Sequence, residues 1–322
     1  MTDIARIEAA DARIRPHVRT TPILTSPHLD AVAGRRVLVK AEALQHTGSF
    51  KYRGGRSAVS ALDDAARRAG VIAFSSGNHA QGVARAAREL GAPAVIVMPA
   101  DAPALKIANT RADGAEVVLY DRATEDRDAI GERIAAERGL TLIRPFDDPE
   151  VIAGQATCGL EIAAEVGGPA DVLVCCGGGG LSAGIALALA ERAPGLRVRT
   201  VEPDGFDDVA RSLASGGVEA NRPGARTICD AIMTPNHGRL TMPVLRDRAG
   251  PGIAVTDDEV RRAMALAFLR LKLVLEPGGA AALAAALFHA DEIDGDTVVA
   301  VATGGNVDPA VFAEALATLP AP

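Results

Sequence analysis

Lys51 stands in the segment His46-Thr47-Gly48-Ser49-Phe50-Lys51-Tyr52-Arg53-Gly54-Gly55 of a 322-residue chain. The chain holds only four lysines, Lys40, Lys51, Lys106 and Lys272, among 34 basic residues. Ser49 has the chemistry of a helix N-cap, which puts Lys51 in the first turn of the helix that follows. The positive end of a helix and a partly apolar surround both disfavour an ammonium ion. Both therefore lower the lysine pKa and favour the neutral amine that Schiff-base chemistry needs. The ordinary alternative is a solvated lysine at a helix start, and the other three lysines sit in unremarkable sequence surroundings.

Two further segments are built to receive anions. Ser75-Ser76-Gly77-Asn78-His79-Ala80-Gln81-Gly82 follows the apolar run Val71–Phe74 and precedes a helical pattern. A strand–loop–helix unit of this kind aims backbone N–H groups at a carboxylate or phosphate, and Ser and Asn add side-chain donors. Gly177-Gly178-Gly179-Gly180-Leu181-Ser182-Ala183-Gly184 comes directly after the run Val172–Cys176. Four glycines let the backbone wrap closely around an anion at a helix N-terminus, and with no lysine following, this is not a nucleotide-triphosphate loop. Gly178-x-Gly180-x-x-Ala183, with Glu202 about 20 residues on, also fits a dinucleotide fingerprint. Taken with the lysine and serine-glycine segments upstream, a phosphate monoester is the better match.

Two loops complete the set. Glu202-Pro203-Asp204-Gly205-Phe206-Asp207-Asp208 gathers hard oxygen donors suited to Mg²⁺ or Ca²⁺, although a solvated acidic turn has the same composition. Val298–Ala302 reads as a strand running into Thr303-Gly304-Gly305-Asn306, where a hydroxyl beside two glycines can approach a planar ring.

These segments need elements to hold them. Val37–Val39, Val71–Phe74, Ala94–Met98, Val117–Tyr120, Val172–Cys176, Val198–Val201 and Thr297–Ala302 read as strands, several continuously apolar as in sheets buried on both faces. Helical patterns cover 57–69, 79–90, 125–138, 181–193 and 257–273, and the alanine-rich stretch 279–288 is predicted to be a core helix. The alternation predicts an α/β fold with mostly parallel sheets. The stretch 203–255, rich in Gly, Pro and Asp, reads as loops.

Bulk properties narrow the function classes. The chain is 48% hydrophobic and 23% charged, with a net charge of -7, which opposes nonspecific nucleic-acid binding without preventing a local anion site. No apolar run approaches the ~20 residues of a membrane helix. No secretory signal is visible, and Cys158, Cys175, Cys176 and Cys229 have no zinc-like spacing, so reduced thiols in a cytoplasmic protein are expected.

Together, TGSFKYRG, SSGNHAQG, GGGGLSAG and TGGN, in this order and across nearly the whole chain, resemble the fold-type II pyridoxal-phosphate (PLP) enzymes, and among them the threonine/serine dehydratase and serine racemase group. The resemblance implies a tryptophan synthase β-like fold of two open, mostly parallel sheets with flanking helices. It implies a large domain from 1–69 and 148–322, a smaller mobile domain at 70–147, and a homodimer. Lys51 would carry the cofactor, with Phe50 beside its ring, Asn78 at the phenolic oxygen, Gly177, Gly178, Gly179, Gly180 and Leu181 around the phosphate, and Thr303 at the pyridine nitrogen. Ser75, Ser76, Gly77, Asn78 and His79 would bind the substrate carboxylate, and Ser76 would stand on the substrate face opposite Lys51. Glu202, the carbonyl of Phe206 and Asp208 match the family's divalent-cation site, for Mg²⁺ or else Ca²⁺ or Mn²⁺.

The implied activity is dehydration and deamination of L-threonine or L-serine, a small hydroxy amino acid being the only partner required. Serine racemisation and hydroxyaspartate dehydration are alternatives on the same scaffold, and a nicotinamide-dependent dehydrogenase or a non-catalytic amino-acid binder are alternatives of other classes. Three positions depart from the commonest pattern: Thr303 where serine is frequent, Tyr52 after the lysine, and a glycine in Glu276-Pro277-Gly278-Gly279 where serine or alanine is common. No regulatory domain follows the last motif, so inhibition by a branched amino acid is not expected.

Overall fold

A computed structural model describes residues 2–75, 77–102 and 104–319. Among them are ten strands in two sheets. In chain order these are β1 (Ile23–Leu24), β2 (Arg36–Lys40), β3 (Val71–Phe74), β4 (Ala94–Pro99), β5 (Glu116–Tyr120), β6 (Thr141–Leu142), β7 (Ala170–Cys175), β8 (Leu196–Pro203), β9 (Ile253–Val255) and β10 (Thr297–Val301). The six-stranded sheet runs β1-β2-β10-β7-β8-β9 and the four-stranded sheet β5-β4-β3-β6. Every pairing is parallel except β1 with β2.

All seven sequence-read strands are present, with ends shifted by at most two residues. They read as unbroken apolar runs because helices cover both faces, so successive side chains enter different cores. Val37, Val39, Leu173, Cys175, Val298 and Ala300 pack beneath the helices Asp257–Leu271 and Pro277–Phe288. Leu38, Val172, Val174, Val299 and Val301 face the opposite way, against Ile162, Ile185 and Leu189. The four-stranded sheet divides likewise: Val71, Ala73, Ile96 and Met98 meet the helix Asn78–Glu89, and Ile72, Phe74, Val95 and Val97 meet Ile134. The alanine-rich segment is the helix Pro277–Phe288, buried along its length.

Some expectations need correction. The pattern 57–69 is two helices, Lys51–Ser60 and Asp64–Ala69, because the Asp63 carboxylate caps the backbone N–H of Ala66 and starts a new one. The loop-rich stretch 203–255 also holds the helices Asp208–Ser215 and Thr241–Arg248 as well as β9. Lys40 is not in unremarkable surroundings, being fully buried and paired with Glu161 at 2.6 Å. All four cysteines are free and buried. No helix is long and apolar enough to cross a membrane among the described residues.

In parallel sheets the carboxyl ends of the strands share one edge, where ligands gather in open α/β folds. In this molecule β2 leads toward the lysine segment, β7 into the glycine loop, β8 into the acidic loop and β10 into Thr303-Gly304-Gly305-Asn306. On the smaller sheet, β3 leads into the Ser75 loop.

Candidate active site

The helix Lys51–Ser60 carries the lysine in its first residue, but Ser49 does not cap it. Phe50 occupies the cap position in helical conformation, and the Ser49 hydroxyl is buried without a partner. Ser49 forms a bridge with Gly304 instead, and the N–H of Phe50 donates to the carbonyl of Thr303 at 3.0 Å. The lysine segment is thus laid against the end of β10.

Two glycines set the distance between the lysine helix and the helix of the Ser75 loop. A Cβ on Gly82 would stand 2.9 Å from the backbone carbonyl of Lys51, and one on Gly55 would stand 2.9 Å from the carbonyl oxygen of Gly82. The backbones touch there, which holds Lys51 and Asn78 at a separation no larger residue would allow.

The amine of Lys51 donates to the carbonyl oxygen of Pro145 at 2.8 Å and lies 5.2 Å from the centre of the Phe50 ring. Burial pushes its pKa down to about 8. At pH 8 roughly half the amine is then neutral, against well under 1% at an ordinary lysine pKa. His79 is buried beside it, with Nε2 on the carbonyl of Ile143 at 3.0 Å and Nδ1 without a partner. Burial, followed by the charge of Lys51, pushes its pKa down to about 3, so the imidazole is neutral.

The Ser75 loop closes on itself through the N–H of Gly77, which donates to the Ser75 hydroxyl at 3.1 Å. Ser76 lies outside the described residues. Asn78 opens its helix and spans two partners: its Nδ2 donates to Glu276 Oε1 at 2.5 Å, and its Oδ1 accepts from Asn306 Nδ2 at 2.7 Å. Asn306 also donates to the carbonyl of Thr47 at 2.7 Å, tying the Ser75 loop to the lysine segment.

The glycine loop lies between β7 and the helix Gly180–Arg192. Gly179 takes φ +85°, and the ring of Phe146 packs so closely on Gly178 that no Cβ could be added there. Leu181 is buried in the helix's first turn. The buried Thr234 hydroxyl lacks a partner, and its methyl faces Gly177. Thr303 follows β10 and is almost fully buried.

Glu202 and Asp208 are buried together in the acidic loop. Glu202 accepts from the N–H groups of Val209 at 3.1 Å and Ala210 at 2.7 Å. Its carboxylate therefore faces the first turn of Asp208–Ser215. Desolvation raises the pKa of both acids, Asp208 to about 6, and Asp208 Oδ2 has no partner. Among the described residues no three His, Cys, Asp or Glu side chains cluster as a metal site. Two carboxylates plus a carbonyl such as that of Phe206 would be the donor set here.

The structure thus brings Phe50, Lys51, Ser75, Gly77, Asn78, His79, Gly177 to Gly180, Leu181 and Thr303 to the facing strand ends, with Glu202, Phe206 and Asp208 in a separate loop. Reading the sequence missed Glu276, which is buried at the N-cap of Pro277–Phe288 with Oε2 unpartnered. Burial pushes its pKa up to about 7, opposed by the charge of Lys106. Its signal was an acid directly before Pro-Gly-Gly. The motif was visible, but its burial was not.

The model of the family described as pyridoxal-phosphate dependent enzyme matches residues 14–304. The chain belongs to that family. An L-threo-3-hydroxyaspartate ammonia-lyase of a Pseudomonas species is 46% identical over 312 residues, covering 96% of this chain and 97% of that protein. A serine racemase of Schizosaccharomyces pombe is 40% identical, covering 94% of this chain and 93% of that protein. The solved structure of a T.th. threonine deaminase superposes with a TM-score of 0.88 at 44% identity, covering 95% of this chain and 99% of that one. This PLP-dependent enzyme is accordingly similar to lyases and to a racemase. A nicotinamide dehydrogenase has no support. The donor set fits PLP: a neutral-prone lysine, a glycine loop with no room for side chains, and orphaned buried polar atoms on His79, Thr234 and Glu276.

Proposed function

We propose that this PLP-dependent enzyme is an ammonia-lyase that dehydrates a 3-hydroxy amino acid to a 2-oxo acid and ammonia. A 3-hydroxyaspartate is placed first among its substrates, ahead of L-threonine and L-serine. The environment of Lys51 carries the reaction type. Its amine is buried, has a carbonyl rather than a carboxylate for a partner, and titrates near neutrality. Such an amine suits a general base that takes the proton from the substrate Cα. The 46% identity to a hydroxyaspartate ammonia-lyase favours that substrate over the L-threonine and L-serine that the motifs suggest.

Gly177 to Gly180 and Leu181 would hold the cofactor phosphate, Phe50 would flank the ring, Asn78 would serve the phenolic oxygen and Thr303 the ring nitrogen. Bound PLP supplies the sink for the electrons left at Cα. A hydroxyl partner such as Thr303, unlike an aspartate, need not keep the ring nitrogen protonated, which favours loss of the β-hydroxyl over transamination. The first-turn N–H groups at Asn78 and His79 have no carbonyl within their own helix and suit the substrate α-carboxylate, with Ser75 and Gly77 shaping the loop. Residues 70–147 act as the smaller, mobile domain, and the enzyme is a cytoplasmic homodimer.

Mg²⁺ is assigned to Glu202, the Phe206 carbonyl and Asp208, two buried acids whose charge a cation would compensate. Chelation should lower the melting temperature and added Mg²⁺ restore it. No response to either removes the metal from the account.

The deciding experiment incubates the holoenzyme with L-threo-3-hydroxyaspartate, L-threonine and L-serine, scoring 2-oxo acid and the chirality of recovered substrate. The expected result is 2-oxo acid from all three with the highest kcat/KM for hydroxyaspartate. Inverted substrate without 2-oxo acid would make it a racemase.

A further inference from the structure

We infer that Lys106 is the specificity-determining residue of this site, and that it receives the side-chain carboxylate of a dicarboxylic substrate. The inference rests on the lyase reading above and names what that site recognises.

Lys106 belongs to the helix Ala104–Ala112, beyond the carboxyl end of β4. Its side chain is only 13% exposed. Its amine lies 3.6 Å from where a Cβ on Gly77 would stand, so it abuts the loop suited to the α-carboxylate. Across the cleft, its partner is Asp230 Oδ2 at 3.3 Å. Asp230 starts a short 3-10 turn, Asp230–Ile232, that continues to the glycine loop: a Cβ on Gly177 would stand 3.2 Å from Ile232 Cα. The same turn abuts Gly278, two residues from Glu276. The amine therefore bridges the loop of the smaller sheet and the phosphate side of the larger one.

A 3-hydroxyaspartate brings two carboxylates. The first can be met by backbone N–H groups, but the second needs a cation within a side chain's length of the first. The arginines of the neighbouring elements are far more exposed than Lys106: the side chains of Arg127, Arg144 and Arg239 are 45%, 47% and 97% exposed. Lys106 is mostly buried against the loop, and its present partner is exchangeable. The Asp230 side chain is 58% exposed, and ion pairs of that kind are weak. An incoming carboxylate can replace that of Asp230, whereas serine or threonine leaves the pair intact.

The test compares wild type with Lys106→Met, Lys106→Arg and Asp230→Asn holoenzymes. For Lys106→Met, kcat/KM for L-threo-3-hydroxyaspartate should fall about 100-fold more than that for L-serine, the scale set by losing one partner of a desolvated charge pair. Lys106→Arg should recover most of the difference, and Asp230→Asn should lower the hydroxyaspartate KM. An equal fall for both substrates would make Lys106 a general latch and overturn the inference. Binding of L-malate against glycerate, by calorimetry, separates this from the lyase reading, because neither carries the amine needed for turnover. L-malate should bind wild type more tightly than glycerate, and the Lys106→Met variant should lose that preference. Lysine-dependent malate binding without hydroxyaspartate turnover would sink the lyase reading and uphold Lys106. Malate binding unchanged in Lys106→Met would sink Lys106 whatever the turnover.

Discussion

Lys40 and Lys51 lie eleven residues apart, Lys40 fully buried and Lys51 partly so, and have opposite surroundings. Lys40 ends β2 among carboxylates: Glu161 stands 2.6 Å from its amine, and that same Glu161 receives two nitrogens of the buried Arg53, which is further held by Glu42. Among the described residues, Lys51 meets the carbonyl of Pro145 and an aromatic ring and pairs with no carboxylate. Burial alone does not make a lysine reactive. Withholding the counter-charge does, since desolvation then goes uncompensated and the neutral amine is favoured. The ion network around Arg53 lies directly behind the reactive lysine, on the same helix, and fixes that helix from the rear.

Exchanging the two lysines' roles by mutation should be very unequal. Lys51→Met should cut turnover about a hundredfold to ten-thousandfold, the range for removing a general base, and abolish the yellow colour of covalently held cofactor. Glu161→Gln leaves Lys40 with the Thr21 carbonyl and the more distant, half-exposed Glu165, so unfolding in urea should show a loss of about 3 kcal/mol. Turnover per folded molecule should change little. A large loss of activity at unchanged stability would mean that the network is part of the chemistry.

The next effect tests the glycine contact that spaces the lysine from the Ser75 loop. Gly82→Ala places a methyl 2.9 Å from the Lys51 carbonyl and must shift one helix against the other. Displacements of that size cost about 10²-fold in rate, so kcat should fall more than the melting temperature.

The smallest effect is in pH. In cofactor-free protein the folded Lys51 titrates at about 8 and an unfolded lysine at roughly 10.4. Between those values the native state binds fewer protons, so this group makes stability rise with pH across that window. The penalty on the charged form is complete below about 8. Denaturation curves for wild type and Lys51→Met should converge as pH climbs through the window. Parallel curves would mean that the amine is not perturbed.

Much of this was legible before any coordinates. Continuous apolar runs marked every long strand, because parallel strands covered on both faces leave no alternation to misread. The short strands Ile23–Leu24, Thr141–Leu142 and Ile253–Val255 carry too few residues for any pattern. The site motifs were legible because they are local: glycines and a strand end can be read in one window. Glu276, Asn306 and Lys106 acquire their meaning from partners 124 to 259 positions away, and no spacing rule reports that. Ser49 misled for a related reason. Its type suits a cap, but the bridge to Gly304 sets its backbone.

The central claim is that Lys51, and not the fully buried Lys40, holds the cofactor. Borohydride reduction of the holoenzyme followed by peptide mapping tests it most directly. One pyridoxyl group per chain on the peptide containing Lys51, with Lys40, Lys106 and Lys272 unmodified, is the predicted result. A label on any of those three, or a chain that releases its cofactor unreduced, would contradict it.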